Sequence, residues 1–275
     1  MGKYLKQFQT HSAYNTYING NNKILPNVSY CEDNTDVHYN KKTSNNNYEY
    51  VDLNLPSGTL WATKNVGANN ITDYGLYFAW GETTGYTTEQ VGNDKDFTWQ
   101  DYQLAAQQEN YNTLTKYNET DGKSTLEAID DAATTNMGNN WHMPTKEQFE
   151  ELANTSYCTN QWVENYQDSG VNGMLFTSVN NGNTIFFPTA GYCDSGMILS
   201  EGNNGEYWSN TNENVFVANQ QMYTQPWSMT VFLTSVPPPH GDIYDDDPHE
   251  ETSIGEIQVM DNAAYWGLSV RGVIG

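Results

Sequence analysis

Six carboxylates crowd one short run, Asp242, Asp245, Asp246, Asp247, Glu250 and Glu251, with His240 and His249 at its flanks. Oxygen ligands at that density could serve calcium. The alternating Asp-x-Asp-x-Asp-Gly order that folds such groups around one ion is missing, however. Two histidines without a cysteine make a poor zinc site. The run reads as a solvated acidic loop. Ser269 stands in Gly267-Leu268-Ser269-Val270-Arg271, which lacks the second glycine of a nucleophile elbow. No glycine-rich phosphate loop is present. With 34 acidic residues in the chain, some carboxylate pair at glycosidase spacing is always to hand, so paired acids alone argue for nothing. Cys31, Cys158 and Cys193 are widely spaced and read as free, partly buried thiols; whether Cys158 and Cys193 pair is not deducible from spacing. The expectation is no catalytic residue, no metal and no cofactor.

Recognition chemistry is better represented. From Tyr207 to Arg271 the chain holds Asn212, Asn214, Phe216, Asn219, Gln220, Gln221, Tyr223 and Trp227 between the closing pieces Tyr207-Trp208-Ser209-Asn210 and Tyr265-Trp266-Gly267. Rings supply contact area with few rotors to freeze, and amides supply adaptable hydrogen bonds, which is the composition of binding loops. Short strands at both ends and little periodicity between them predict exposed loops on a scaffold.

Composition limits the partner. The chain has 275 residues and a formal net charge of −23, so phosphate-rich nucleic acid and anionic membranes are repelled rather than attracted. No stretch reaches the length of a membrane span, and the first eight residues lack the apolar core of a secretory signal. Aromatic content of 13% against 37% hydrophobic residues overall suits a packed, β-rich and loop-rich fold. Only 16% of residues are charged, so much of the surface must be neutral and hydrogen-bonding.

The elements that would position these groups follow in order. Tyr14, Tyr17 and Ile18 fall at helical spacing, and 24–30 and 36–39 read as a hairpin. A helix plus a hairpin buries little alone, so residues 1–45 form a small module needing a partner chain, a trimeric neighbour or the main domain. The domain proper, 48–275, opens with strand candidates at 50–55, 60–63 and 76–81. Residues 82–123 read as a long surface excursion. A short helix is expected over 126–133, with Leu126, Ile129, Ala132 and Ala133 on one face. Thr145 and Gln148 satisfy the capping-box spacing, so another helix should start there, turning Phe149, Leu152 and Ala153 to the core. Strands follow at 174–177, 184–187 and 191–193. Trp61, Trp80, Trp141 and Trp208 are expected in the core.

Several ordered pieces carry a resemblance: Val51-Asp52-Leu53, Ser57-Gly58-Thr59-Leu60-Trp61-Ala62, Tyr77-Phe78-Ala79-Trp80-Gly81-Glu82, Asp130-Asp131-Ala132-Ala133, Trp141-His142-Met143-Pro144-Thr145, Gly191-Tyr192, and Tyr207-Trp208-Ser209 with Gly267-Leu268-Ser269-Val270-Arg271. Together they resemble the Fibrobacter major-paralogous-domain family. That family is similar to C-type-lectin-fold domains, above all the variable proteins of diversity-generating retroelements. Residues 1–40 look like an N-terminal module of virion proteins from phages of gut Bacteroidetes. The resemblance implies an α+β fold: a twisted antiparallel sheet with two flanking helices and long loops, preceded by the helix-plus-hairpin module. It implies a variable region over about 207–271. Its ligand-binding positions fall on Asn212, Asn214, Phe216, Gln221, Tyr223 and Trp227, and on Ala263, Tyr265 and Trp266. The implied function is host attachment, as a phage tail or fibre protein binding a bacterial surface protein or glycan, with residues 1–45 joined to other virion proteins or to sister chains in a homotrimer. The alternatives are a bacterial surface or pilus adhesin of the same fold, and a structural virion protein with a decorative lectin-like domain. His142 replaces a common arginine, and an acidic, proline-rich insert over 234–256 interrupts the ligand region. The sulfatase-activating oxidases of related fold rely on a late cysteine pair; no cysteine follows Cys193.

Overall fold

The computed structural model describes residues 43–45, 48–106, 113–217, 221–236 and 252–275. The chain separates into two units, Met1–His38 and Tyr39–Gly275, and all described residues belong to the second. The expected N-terminal helix and hairpin, Cys31 and the acidic run with its two histidines lie outside the described residues.

The strands are β1 (Thr43–Asn45), β2 (Tyr48–Asp52), β3 (Leu60–Ala62), β4 (Tyr77–Phe78), β5 (Cys158–Val163), β6 (Gly173–Ser178), β7 (Thr184–Pro188), β8 (Tyr192–Asp194), β9 (Met197–Leu199), β10 (Asn204–Val217), β11 (Gln221–Val236), β12 (Thr252–Asp261), β13 (Leu268–Ser269) and β14 (Val273–Ile274). The helices are α1 (Ala132–Met137) and α2 (Lys146–Ala153). The sheets run β1-β2-β3-β14, β12-β11-β10-β13-β4, β5-β6-β7 and β8-β9. The molecule is therefore α+β and rich in sheet.

Local chemistry explains most of these elements. In β2 and the residues after it, Val51, Leu53 and Leu55 are buried while Asp52 and Asn54 are exposed, the period of a half-buried strand. At the N-terminus of α2 the Thr145 hydroxyl accepts from Gln148 N, and the Gln148 side chain accepts from Thr145 N. The predicted capping box is present, and Phe149 and Leu152 are fully buried.

Three expectations need correction. The first helix begins at Ala132, not Leu126, because Asp131 caps it: one carboxylate accepts from Thr134 N and from Met143 N. Leu126 is buried before the helix, and Ile129 is exposed. Second, residues 82–123 are no surface excursion. Phe97, Trp99, Tyr102, Leu114 and Tyr117 from this stretch are core residues, held by irregular turns such as Asp101, whose carboxylate accepts from Asp96 N, Phe97 N and Thr98 N. Rings fill a core without regular spacing, so their periodicity gave no strand or helix signal. Third, the C-terminal lobe is not loops between short strands. β10, β11 and β12 span 14, 16 and 10 residues in one antiparallel meander, and both flanks of the insert, 234–236 and 252–256, are paired strand residues.

Two apolar clusters lie on either side of the large sheet. One gathers Trp80, Trp99, Trp141, Trp208, Leu268 and Val270; the other gathers Trp61, Phe149, Leu152, Phe187, Tyr207, Met229 and Val231. The four expected core tryptophans are all buried. Neighbours Tyr207 and Trp208 point into opposite clusters, as strand alternation requires. Cys158 and Cys193 are free buried thiols, one in each cluster; burial pushes the Cys158 thiol up to about 11.

Arg271 binds these layers together. It is fully buried. Its Nε donates to Asn65 Oδ1 at 2.9 Å, Nη1 to Ala62 O at 3.1 Å and Nη2 to Phe186 O at 3.0 Å. Its guanidinium lies 4.4 Å from the Phe187 ring centroid. Arg271→Met preserves bulk but leaves buried acceptors without donors. It is expected to lose about 3 kcal/mol or more of folding stability, read by denaturant unfolding; a loss under about 1 kcal/mol would contradict this role.

Candidate functional site

The site begins with a break in β10. Pairing with β11 runs from Asn204↔Phe232 to Trp208↔Ser228 and resumes at Asn212↔Pro226. The intervening bulge turns its backbone elsewhere: Asn210 N donates to Pro144 O at 2.8 Å, Asn210 O accepts from Leu126 N at 2.9 Å, and Asn212 N donates to Ser124 O at 2.9 Å. Ser209 O accepts from the Trp80 indole at 2.8 Å. Pro226, with no N–H for a ladder, falls at this break, where proline does least harm.

Before the bulge, alternation sets Glu206 and Trp208 on one face. Thr230 pairs with Glu206, and Ser228 with Trp208, so all four share that face. Glu206, Ser228 and Thr230 are 6%, 0% and 6% exposed. Asn262, just past β12, joins them: Nδ2 lies 2.9 Å from both Glu206 Oε2 and Ser228 Oγ. The Ser228 hydroxyl donates to Met260 O at 3.2 Å, and Asn262 N donates to Pro226 O at 3.0 Å. Among the described residues, Asn262 is the one hydrogen-bond partner of the Glu206 carboxyl. Burial pushes that carboxyl up to about 7, against the smaller lowering effect of the Asn262 bond. Among the described residues Thr230 Oγ1, also buried, has no partner. On the β12 side, Gln258 and Met260 pair with Thr230 and Ser228 and are exposed.

Aromatic rings flank the patch. Tyr192 of β8 is held above its usual pKa by burial first, then by the charges of Glu206 and Asp194. Its ring stacks on Trp266 at 4.8 Å between centroids and 30° between planes. Trp266 Nε1 is buried, with no partner among the described residues. The chain beyond is pinned by Gly267, whose N donates to Cys193 O at 2.9 Å and whose O accepts from Cys193 N at 2.8 Å. A Cβ at Gly267 would stand 2.6 Å from the Phe97 ring and 2.8 Å from Cys193 Cβ, so only glycine allows that approach.

The nine expected ligand positions divide between the β10–β11 hairpin and the loop after β12. Asn212 is buried, and its Nδ2 donates to Tyr117 O at 2.9 Å, so it serves packing. Positions 212, 214 and 216 pair with 226, 224 and 222, whereas 221 and 223 pair with 217 and 215. The Trp227 ring is half-buried under Lys146, whose Nζ lies 3.5 Å from its centroid. Ala263, Tyr265 and Trp266 share the loop after β12, all half-buried, and Tyr265 meets Trp99 edge-on at 6.1 Å. The structure thus links Trp266, through its stack on Tyr192 and the Gly191–Gly205 bridge, to the strand patch of Glu206, Ser228, Thr230 and Asn262, five residues with Tyr192 that sequence reasoning passed over. One signal was available: Glu206 stands two positions before a tryptophan expected in the core, hence on the same face of the strand. Elsewhere, a polar groove of about 430 Å³ is lined by Glu49, Lys64, Asn69, Asn70, Thr72 and Gln167 among others, and none of the nine lines it. Among the described residues no group of three or more His, Cys, Asp or Glu is placed to hold a metal ion, and no helix is long and apolar enough to cross a membrane.

Comparison with family models, curated proteins and solved structures finds no match to this chain.

The elevated Glu206 pKa has a stability consequence. Folding raises its proton affinity, so its stabilising contribution is complete below the ordinary value of 4.5 and is lost as pH rises through about 7. Glu206→Gln stays neutral throughout. Relative to the parent it should gain about 3 kcal/mol between about pH 4 and about pH 9, read as unfolding free energy at both ends. An unchanged difference would place the carboxyl at its ordinary pKa.

Proposed function

We propose that this chain is a receptor-binding protein, carried at a phage tail or fibre tip, whose C-terminal C-type-lectin-fold face attaches to a bacterial surface ligand. The observation that carries the reading is the recessed polar patch of Glu206, Ser228, Thr230 and Asn262 beside the Tyr192–Trp266 stack. Buried polar groups on a sheet face, edged by half-exposed rings, make a specific, hydrogen-bonding contact surface. The long antiparallel sheet with helices α1 and α2 fits the lectin-like arrangement that the sequence motifs imply. Residues 1–45 would join the protein to the virion or to sister chains, and several copies per particle would multiply modest affinity into avidity. Retroelement diversification would act on codons within 211–227 and 261–266.

Two measurements test this. The double variant Tyr265→Ala, Trp266→Ala should bind host cells about tenfold or more weakly than the parent, with a retained cooperative unfolding transition above the assay temperature as the control for folding. Equal binding by the folded variant would remove these rings from the contact. Sequencing the gene across its source population should find replacements concentrated in 211–227 and 261–266 and confined to adenines of a nearby template copy. Variation spread evenly would end the retroelement part of the reading.

A further inference from the structure

Glu206 presents an unfinished arrangement. A buried carboxyl ordinarily has several donors or a cation beside it. Here one oxygen, Oε2, accepts from Asn262, and among the described residues no donor reaches the other. Directly across the ladder, Thr230 Oγ1 is buried and unpartnered. Two hydrogen-bonding groups thus face each other across one sheet face, each 6% exposed, and among the described residues no side chain joins them. Gly191 bridges Gly205 in parallel, so Tyr192 follows alongside Glu206, and its stack with Trp266 adds an aromatic wall. The surroundings also favour positive ligands, since the chain carries a net charge of −23.

We propose that this recess binds the ammonium group of a lysine side chain on the receptor. An ammonium brings three donors and no acceptor, matching Glu206 and Thr230 at once, and its approach to the Tyr192 ring adds cation–π attraction. Depth selects lysine. Glu206 is only 6% exposed, so the charge must arrive on a slender flexible stem, and lysine has four methylenes. The half-buried Tyr192 and Trp266 rings offer apolar surface along which such a stem lies. An amino sugar carries its nitrogen directly on a bulky ring and does not reach. A guanidinium needs two parallel acceptors in one plane, which a carboxyl with one oxygen already engaged does not provide.

This inference rests on the receptor-binding reading and names the chemistry its site would select. The test titrates the full chain with Nα-acetyl-lysine methylamide, with the norleucine analogue that lacks the ammonium, and with glucosamine. The lysine probe should bind, the other two should not, and Glu206→Gln should weaken the lysine probe about tenfold or more. Thr230→Val should weaken it several-fold while keeping the volume of the side chain. Equal binding of lysine and norleucine probes, binding of glucosamine alone, no binding at all, or an unaffected Glu206→Gln would each overturn the proposal. A parallel cell-binding assay separates the two claims. Parent and Glu206→Gln attaching equally would sink the lysine recess and leave receptor binding standing. A parent that attaches to no host would sink the receptor reading, and the probe titration would still decide the recess.

Discussion

The buried guanidinium of Arg271 is the constraint on which the rest depends. Its three named bonds reach Ala62 at the end of β3, Asn65 in the turn beyond it, and Phe186 in β7. A buried cation without such acceptors would cost several kcal/mol, so the three segments are held where the charge requires them. The consequence passes along the chain in both directions. After Arg271, Val273 and Ile274 pair with Trp61 and Leu60, closing the domain on its own early strand. Before it, Leu268 and Ser269 pair with Phe78 and Tyr77, and Gly267 is pinned to Cys193. The loop that carries Asn262 to Trp266 therefore hangs between two fixed points, the end of β12 and the start of β13.

That suspension explains how a short polar loop keeps a definite shape. Asn262 is oriented by its backbone bond to Pro226 and by its side-chain bonds to Ser228 and Glu206. The β10 bulge contributes from the other side. By sending the backbone at 210–212 to Pro144, Leu126 and Ser124, it ends the first ladder at Trp208, so the face carrying Glu206 and Thr230 is short and bordered. Bulges re-aim side chains where a sheet must present them. The Ser228 hydroxyl is committed to Met260 O, and it also accepts from Asn262, so the patch is tied together on its β12 side.

Sequence disclosed some of this and concealed the rest for identifiable reasons. Helix α2 was legible because its signal is local: Thr145 and Gln148 lie three residues apart and need no tertiary partner. The alternation of Val51, Leu53 and Leu55 was equally plain. Residues 82–123 were not, since Phe97, Trp99 and Tyr117 are buried by turns whose geometry depends on carboxylates such as Asp101. The long strands β10 and β11 were hidden by Asn, Gly and Glu in the first and by Pro226 in the second, residues depleted in strands that long-range pairing overrides. Missing those strands cost the site its geometry. Without the register, nothing in the sequence separates Asn212 and Asn214 from Gln221 and Tyr223, or brings Glu206 opposite Thr230.

On the proposed reading, recognition includes the Glu206 face beside Trp266. Amide hydrogen exchange of the full chain, free and attached to host-cell envelopes, tests it most directly. Slowed exchange on attachment is expected over 191–199 and 258–268. Protection confined to 213–224, with 191–199 and 258–268 unaltered, would contradict it.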